Sequence, residues 1–173
     1  MRLGVLKEPD AENRVSIVPA SVKKLLKMGF EVFVENGAGD KSHNTDNDYE
    51  SAGCTISSRD SALSSDLVIS ISMPDISSMN SGQILVCLAD PFRNPDRVRE
   101  AADSGISLMS MDMIPRRLSR AQAMDVNSSQ DNLAGYKAVL IGAANVPRGI
   151  PMMTTSAGTV RPAKFVIMGS GVA

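Results

Sequence analysis

Short apolar runs recur along the chain, separated by polar, turn-forming segments: Arg2 to Leu6, Phe30 to Glu35, Cys54 to Ser57, Leu67 to Ser72, Ile84 to Leu88, Ile106 to Met109 and Phe165 to Met168. Their lengths and flanking glycines suit strands. Between the first two runs, Pro19 sits where a first helical turn accepts proline, Val22, Leu25 and Leu26 form an apolar stripe, and Gly29 supplies a left-handed stop. Between the fifth and sixth, Asn94 is the expected cap, Pro95 opens the helix, Val98, Ala101 and Ala102 face inward, and Gly105 closes it. Strand and helix in alternation, joined by short turns, predict an α/β fold: a doubly wound parallel sheet, flavodoxin- or Rossmann-like, with right-handed crossovers. This first domain is expected over residues 1–126.

Beyond Asp125 the pattern changes. Asn127 or Ser128 can cap a longer helix, Asp131 follows Ser128 at capping-box spacing, and Leu133, Tyr136 and Leu140 share one side. Pro147, Gly149 and Pro151 end that helix, and SAGTVRP reads as a turn-rich linker, so residues 127–162 form a linking helix and linker. Residues 163–173, AKFVIMGSGVA, read as an apolar strand entering a glycine loop, the start of a second, truncated Rossmann domain.

Composition narrows the function classes. Apolar residues make up 43% and charged residues 21%, which supports a packed core and argues against disorder. The net charge is -1 and no basic stretch is interleaved with aromatics, so a direct nucleic-acid partner is not expected. Cys54 and Cys87 match neither a zinc spacing nor a disulfide framework, and suit a reducing cytosol. Charge within MRLGVLKEPD leaves no signal-peptide core, and no run reaches the ~18 apolar residues of a membrane span.

Candidate chemistry lies in two segments. Gly169 and Gly171 stand where the first two glycines of a dinucleotide-binding G-x-G-x-x-G would, although an ordinary glycine turn gives the same pattern. The densest polar segment, Ile114 to Ser129, holds Arg116, Arg117, Arg120, Gln122, Asp125 and Ser128 just after the sixth strand, at the sheet end where such folds bind ligands. Arginine offers a fork for a phosphate or carboxamide oxygen, and Asp and Ser accept from an amide; a solvated loop with its arginines paired to nearby acids is the plainer reading. Arg14 can bind a small carboxylate or pair with Glu12, the latter being the commoner arrangement. His43, the only histidine, sits in a polar loop and is given no role, and Met109, Met111 and Met113 alternate as packing residues. One histidine in a polar tip supports no Ser/His/Asp or Cys/His constellation.

Three stretches, RVSIVPASVKKLLKMGFEVFVENGAG (14–39), SLMSMDMIPRRLSRAQAMDVNSSQDNLAGYKAV (107–139) and PMMTTSAGTVRPAKFVIMGSGVA (151–173), closely resemble the NAD(H)-binding α subunit of proton-translocating nicotinamide nucleotide transhydrogenases. The alanine dehydrogenases are related to that family. The resemblance covers essentially the whole chain but only the N-terminal part of the family's subunit, which continues through a complete nucleotide domain.

It implies an NAD(P) transhydrogenase: direct hydride transfer between NAD(H) here and NADP(H) on a partner component, coupled to proton movement through a membrane component. By residue matching it assigns Arg117, Gln122 and Asp125 to the catalytic loop that holds the nicotinamide, with Leu118, Ser119, Arg120 and Ser128 as further cofactor contacts. Gly169, Ser170, Gly171 and Val172 match the start of the pyrophosphate loop. The resemblance further implies a homodimer of the α subunit, and a cytoplasmic protein held peripherally at the inner membrane's cytoplasmic face through its partners. No metal is implied.

Alanine dehydrogenases use an Arg in the RV segment, a Lys on the fourth strand and a His after the fifth. Arg14 matches the first, Ser70 occupies the Lys position, and LADPFRNP has no His. Transhydrogenase is therefore favoured over alanine dehydrogenase. NVPRG at 145–149, where the family more usually continues a helix, is a second departure, because Pro147 should break it. The alternative to a working α-subunit portion is a non-catalytic fragment that only folds or binds a partner subunit; the 173 residues alone are expected to be inactive.

Overall fold

A computed structural model describes residues 1–173. The chain divides into two compact units, Met1–Ile114 and Pro115–Ala173.

The first unit is built on six parallel strands: β1 (Arg2–Val5), β2 (Glu31–Glu35), β3 (Thr55–Ser57), β4 (Leu67–Ser72), β5 (Ile84–Leu88) and β6 (Ser107–Ser110). They lie in the order β3-β2-β1-β4-β5-β6, the doubly wound arrangement that the sequence pattern predicts. Register explains the hydrophobic code. Leu3 and Val5 of β1 lie opposite Val32 and Val34 of β2, and opposite Leu67 and Ile69 of β4, so these residues share one face. Over them pack Val22 of α1 (Pro19–Lys27) and Tyr49 of α2 (Asp46–Ala52). Gly4 and Val68 are in register, and Val68 with Leu85, so the opposite face carries Val68, Leu85 and Cys87 beneath Ala62 and Leu63 of α3 (Arg59–Leu63) and Ala101 of α4 (Pro95–Asp103). Gly4 is required by close approach: a Cβ there would overlap the Ala62 carbonyl oxygen.

Both helix punctuations around α1 form as expected, with Pro19 in the first turn and Gly29 at φ 87°. Asn94 does not cap α4 with its side chain; its amide turns back and donates to the carbonyls of Ala89 and Asp90 at 3.3 and 3.2 Å. α2, next to the polar loop around His43, is set by a Thr45/Asp48 capping box and stopped by Gly53 at φ 102°. Its Tyr49 is fully buried and donates its hydroxyl to the Ile17 carbonyl at 2.7 Å.

The second unit contains a long helix, α5 (Val126–Asn145), and a small antiparallel hairpin of β7 (Met153–Thr155) and β8 (Gly158–Val160). The hairpin lies in and beside the segment expected to be linker. Its turn is held by the Thr155 hydroxyl, which donates to the Gly158 carbonyl and accepts from the Ala157 N–H. α5 ends at Asn145, just before Pro147, as the proline requires. Phe165–Met168, expected as a strand, pairs with no other strand; Val166, Ile167 and Met168 are 90%, 82% and 95% exposed. An apolar run becomes a strand only when a neighbour takes its backbone hydrogen bonds, and none within these residues does. No helix is long and apolar enough to cross a membrane.

Candidate functional site

The loop that follows β6 and a 3₁₀ turn (Met111–Met113) belongs to the second unit and is wound by local backbone bonds. Leu118 N–H donates to Pro115, Ala121 and Gln122 both donate to Leu118, and a second 3₁₀ turn covers Gln122–Met124. Ala121 is the one buried residue of the turn and anchors it. Arg117, Leu118, Ser119, Arg120 and Gln122 are exposed around that anchor.

Asp125 closes the loop and starts α5. Its Oδ1 accepts the Ser128 N–H at 2.9 Å, its Oδ2 accepts the Ser128 hydroxyl at 2.5 Å, and the helix begins at the next residue. The cap is therefore Asp125 and not Asn127 or Ser128, and Asp131 is not part of a capping box. The signal is present in the spacing, an acid three residues before a serine, which is the reach from cap to N3. Arg116 then ties the loop to the helix, pairing with Asp125 at 3.3 Å and with Asp131 at 3.2 Å. The hydrogen bonds from Ser128, and after them the nearby Arg116 guanidinium, hold the Asp125 carboxyl below the usual carboxylate range. Asp125 is thus an anchored anion, whereas the Arg117 and Gln122 side chains stand exposed with no ion pair or hydrogen bond of their own.

The glycine loop lies against α5 in the same unit. A Cβ at Gly135 would overlap the Ala173 carbonyl, and one at Gly142 would sit 3.6 Å from the Phe165 ring, so the helix's glycines cradle the 165–173 segment. Gly135 is two helical turns beyond Ser128, roughly 10 Å along the axis. Gly169 takes φ 101°, a left-handed value that favours glycine, and supplies the sharp turn of the loop; Ser170, Gly171 and Val172 follow it in the open.

These features fit the ends of a nicotinamide nucleotide: a free guanidinium fork, a free amide, a fixed carboxylate and serine, and an exposed glycine turn. No helix follows the glycine turn within the 173 residues to receive a pyrophosphate at its N-terminus.

In the first unit, the carboxyl ends of β1 and β4 enclose a cavity of about 140 Å³ lined by Lys7, Glu8, Arg59, Ser70, Ser72 and neighbours. Glu8 is buried there, accepting the N–H groups of Ile71 and Ser72 at 2.6 and 2.9 Å, and so holds the irregular end of β4. The Ser70 hydroxyl donates to the Ser72 carbonyl at 2.7 Å. Arg14 is committed elsewhere, forked onto Glu12 at 2.8 and 2.5 Å. That hydrogen bonding holds the Glu12 carboxyl down at about 2. The only histidine, His43, is exposed on the surface turn that follows β2.

A family model described as alanine dehydrogenase/PNT, N-terminal domain, matches residues 4–134. The chain belongs to this family. It is 41% identical to a chain of NAD(P) transhydrogenase subunit alpha from Rhodospirillum rubrum over 184 aligned positions, which cover 100% of this chain and 48% of that protein. A solved transhydrogenase from Sinorhizobium meliloti superposes with a TM-score of 0.95 at 40% identity, covering 99% of this chain and 53% of the other. An alanine dehydrogenase of Methanococcus maripaludis is a more distant relative, 28% identical over 99% of this chain and 48% of its own length. The chain thus spans about half the length of these relatives.

Proposed function

We propose that this chain forms the nicotinamide-facing portion of the α subunit of a proton-translocating NAD(P) transhydrogenase, with NAD(H) on its side and NADP(H) on a partner component. The observation that carries the reading is the division of labour within Ile114–Ser128. Asp125 is locked by Ser128 and Arg116, while Arg117 and Gln122 are left free on an ordered turn. A bound nicotinamide nucleotide supplies the hydride, so the protein's task is to hold two rings in contact at the right angle. Arg117 donates its fork to the carboxamide oxygen, Asp125 and Ser128 accept from the carboxamide amine, and Gln122 reaches toward the second nucleotide. Leu118, Ser119 and Arg120 shape the surface around them, and Gly169, Ser170, Gly171 and Val172 present backbone N–H groups to the pyrophosphate. No covalent intermediate is needed, and none of the residues in the loop is a nucleophile.

On this reading the activity requires the remaining length carried by the relatives, together with the NADP(H)-binding and membrane components. The subunit is peripheral at the cytoplasmic face of the membrane and works as a homodimer. The test uses the chain joined to the rest of an α subunit and mixed with the NADP(H)-binding component. In stopped-flow transfer between NADH and an NADP analogue, Gln122→Ala should slow the hydride step by on the order of 100-fold while NADH affinity stays near wild type. Arg117→Ala should weaken both, because an anchor of the bound ring contributes to ground state and transition state alike. Wild-type transfer by Gln122→Ala would return the loop to an ordinary solvated surface.

A further inference from the structure

Charge is divided unevenly along the chain. Residues 115–173 carry seven Lys and Arg against two Asp, a net +5, whereas residues 1–114 carry eleven against seventeen, a net -6. Within the second unit both acids are already taken: Asp125 and Asp131 share the single guanidinium of Arg116. No carboxylate of this unit's side chains remains for its other cations.

Three of those cations line one cavity. Where the chain leaves α5 and later passes back beyond the β7–β8 hairpin, Val146, Arg148, Arg161, Pro162, Ala163 and Lys164 enclose about 580 Å³. The two strands of chain that form it are fastened together, the Ala163 N–H donating to the carbonyls of Gly149 and Ile150, both at 3.2 Å. The lining contains two guanidinium groups, one ammonium and no acid, and none of the three side chains makes an ion pair. The negative end of α5 accounts for a basic residue as near as Arg148, but Arg161 and Lys164 come from a separate part of the chain. Three like charges facing one space repel each other, and an anion with several oxygens relieves that repulsion. Guanidinium forks match paired phosphate oxygens, and a space of this size exceeds one phosphate and falls within the range of small-molecule sites.

We propose that this cavity is a binding site for a diphosphate group, separate from the glycine loop at Gly169–Val172 and independent of the hydride-transfer reading. The group can belong to a free diphosphate or to the phosphate headgroups of an anionic lipid. The recognising chemistry is the same, two forks and an ammonium around adjacent phosphate oxygens.

The test uses the full 173-residue chain and inorganic pyrophosphate, followed by calorimetry and by amide shifts in NMR. Pyrophosphate should bind saturably and shift the amides of 146–150 and 161–164. The combined Arg148→Gln, Arg161→Gln and Lys164→Gln variant should weaken binding at least tenfold. A charge-matched control, Lys23→Gln, Lys24→Gln and Lys27→Gln on α1, should bind as wild type, with both variants checked for native folding by their spectra. Sedimentation with phosphatidylglycerol vesicles, against phosphatidylcholine vesicles, separates the sources: chain retained only by the anionic vesicles and released by pyrophosphate identifies the headgroup, and failure to sediment identifies a free diphosphate. Equal weakening in both variants, shifts spread over all lysines and arginines, or no saturable binding of pyrophosphate would overturn the proposal.

Discussion

At the scale of single residues, the pair Glu12 and Arg14 shows how a sequence-level ambiguity resolves. An arginine in the loop after a first strand can receive a ligand carboxylate, yet here its guanidinium is engaged two residues away. The consequence is a pH dependence. Hydrogen bonding to Arg14 holds the folded Glu12 carboxyl at about 2, against an ordinary 4.5, so the folded state prefers the ionised form. The stabilisation is complete above the unfolded value and is lost as pH falls from about 4.5 through about 2. The pair is partly exposed, so solvent screens it and the effect is modest. Glu12→Gln should therefore leave the urea midpoint nearly unchanged at low pH, lower it slightly at neutral pH, and flatten its acid limb between those values. An acid limb of unchanged slope in the variant would show that the pair contributes nothing to folding.

At the scale of elements, α2 is the clearest case of structure held by local chemistry. Seven residues make too short a helix to persist by propensity, so its cap and its one buried side chain carry it. The Thr45 hydroxyl accepts the Asp48 N–H at 3.3 Å while Asp48 reaches back to the Thr45 N–H at 2.7 Å. Thr45→Ala should cost about 1 kcal/mol in denaturant unfolding and free the amides of 46–49 to exchange faster, with α1 unaffected. What the sequence makes legible divides along the same line. The six strands of the sheet and the helices α1 and α4 are legible because each is an apolar run or stripe bounded by proline and glycine. α2 is not, because DNDYESA offers a single large apolar residue, and Tyr49 is recognisable as core only once its hydroxyl has found the Ile17 carbonyl. The β7–β8 hairpin escapes a reading of the pattern because MTT and GTV are three residues each and fully exposed, with no periodicity to detect. At the candidate site, the composition of the loop is visible in the sequence, but the ordering of Asp125 by Ser128 and Arg116 is not, since an arginine has several acids in reach until the chain is folded.

At the scale of the whole molecule, the same architecture serves two chemistries in this family, and the first unit decides between them. Reductive amination of a keto acid needs a cation for the carboxylate and a base or acid for the nitrogen, placed together beside a nicotinamide. In this chain the cavity at the ends of β1 and β4 measures only about 140 Å³. Its buried acid, Glu8, is consumed in holding the backbone of Ile71 and Ser72. At the position of the catalytic lysine expected from alanine dehydrogenases, Ser70 spends its hydroxyl on Ser72. The ammonium of Lys7, which does line the cavity, lies beside Gly37, and no imidazole is present there. Arg14, the one matching residue, is neutralised by Glu12. A full α subunit containing this chain should accordingly show no oxidation of NADH driven by pyruvate and ammonia, followed by absorbance. The same preparation, mixed with its NADP(H)-binding component, should transfer hydride to an NADP analogue, which guards against reading an inactive protein as a selective one. Steady turnover with pyruvate and ammonia would mean that Lys7 or Arg59 has taken over the missing roles, and would move the protein to the amino-acid side of the family.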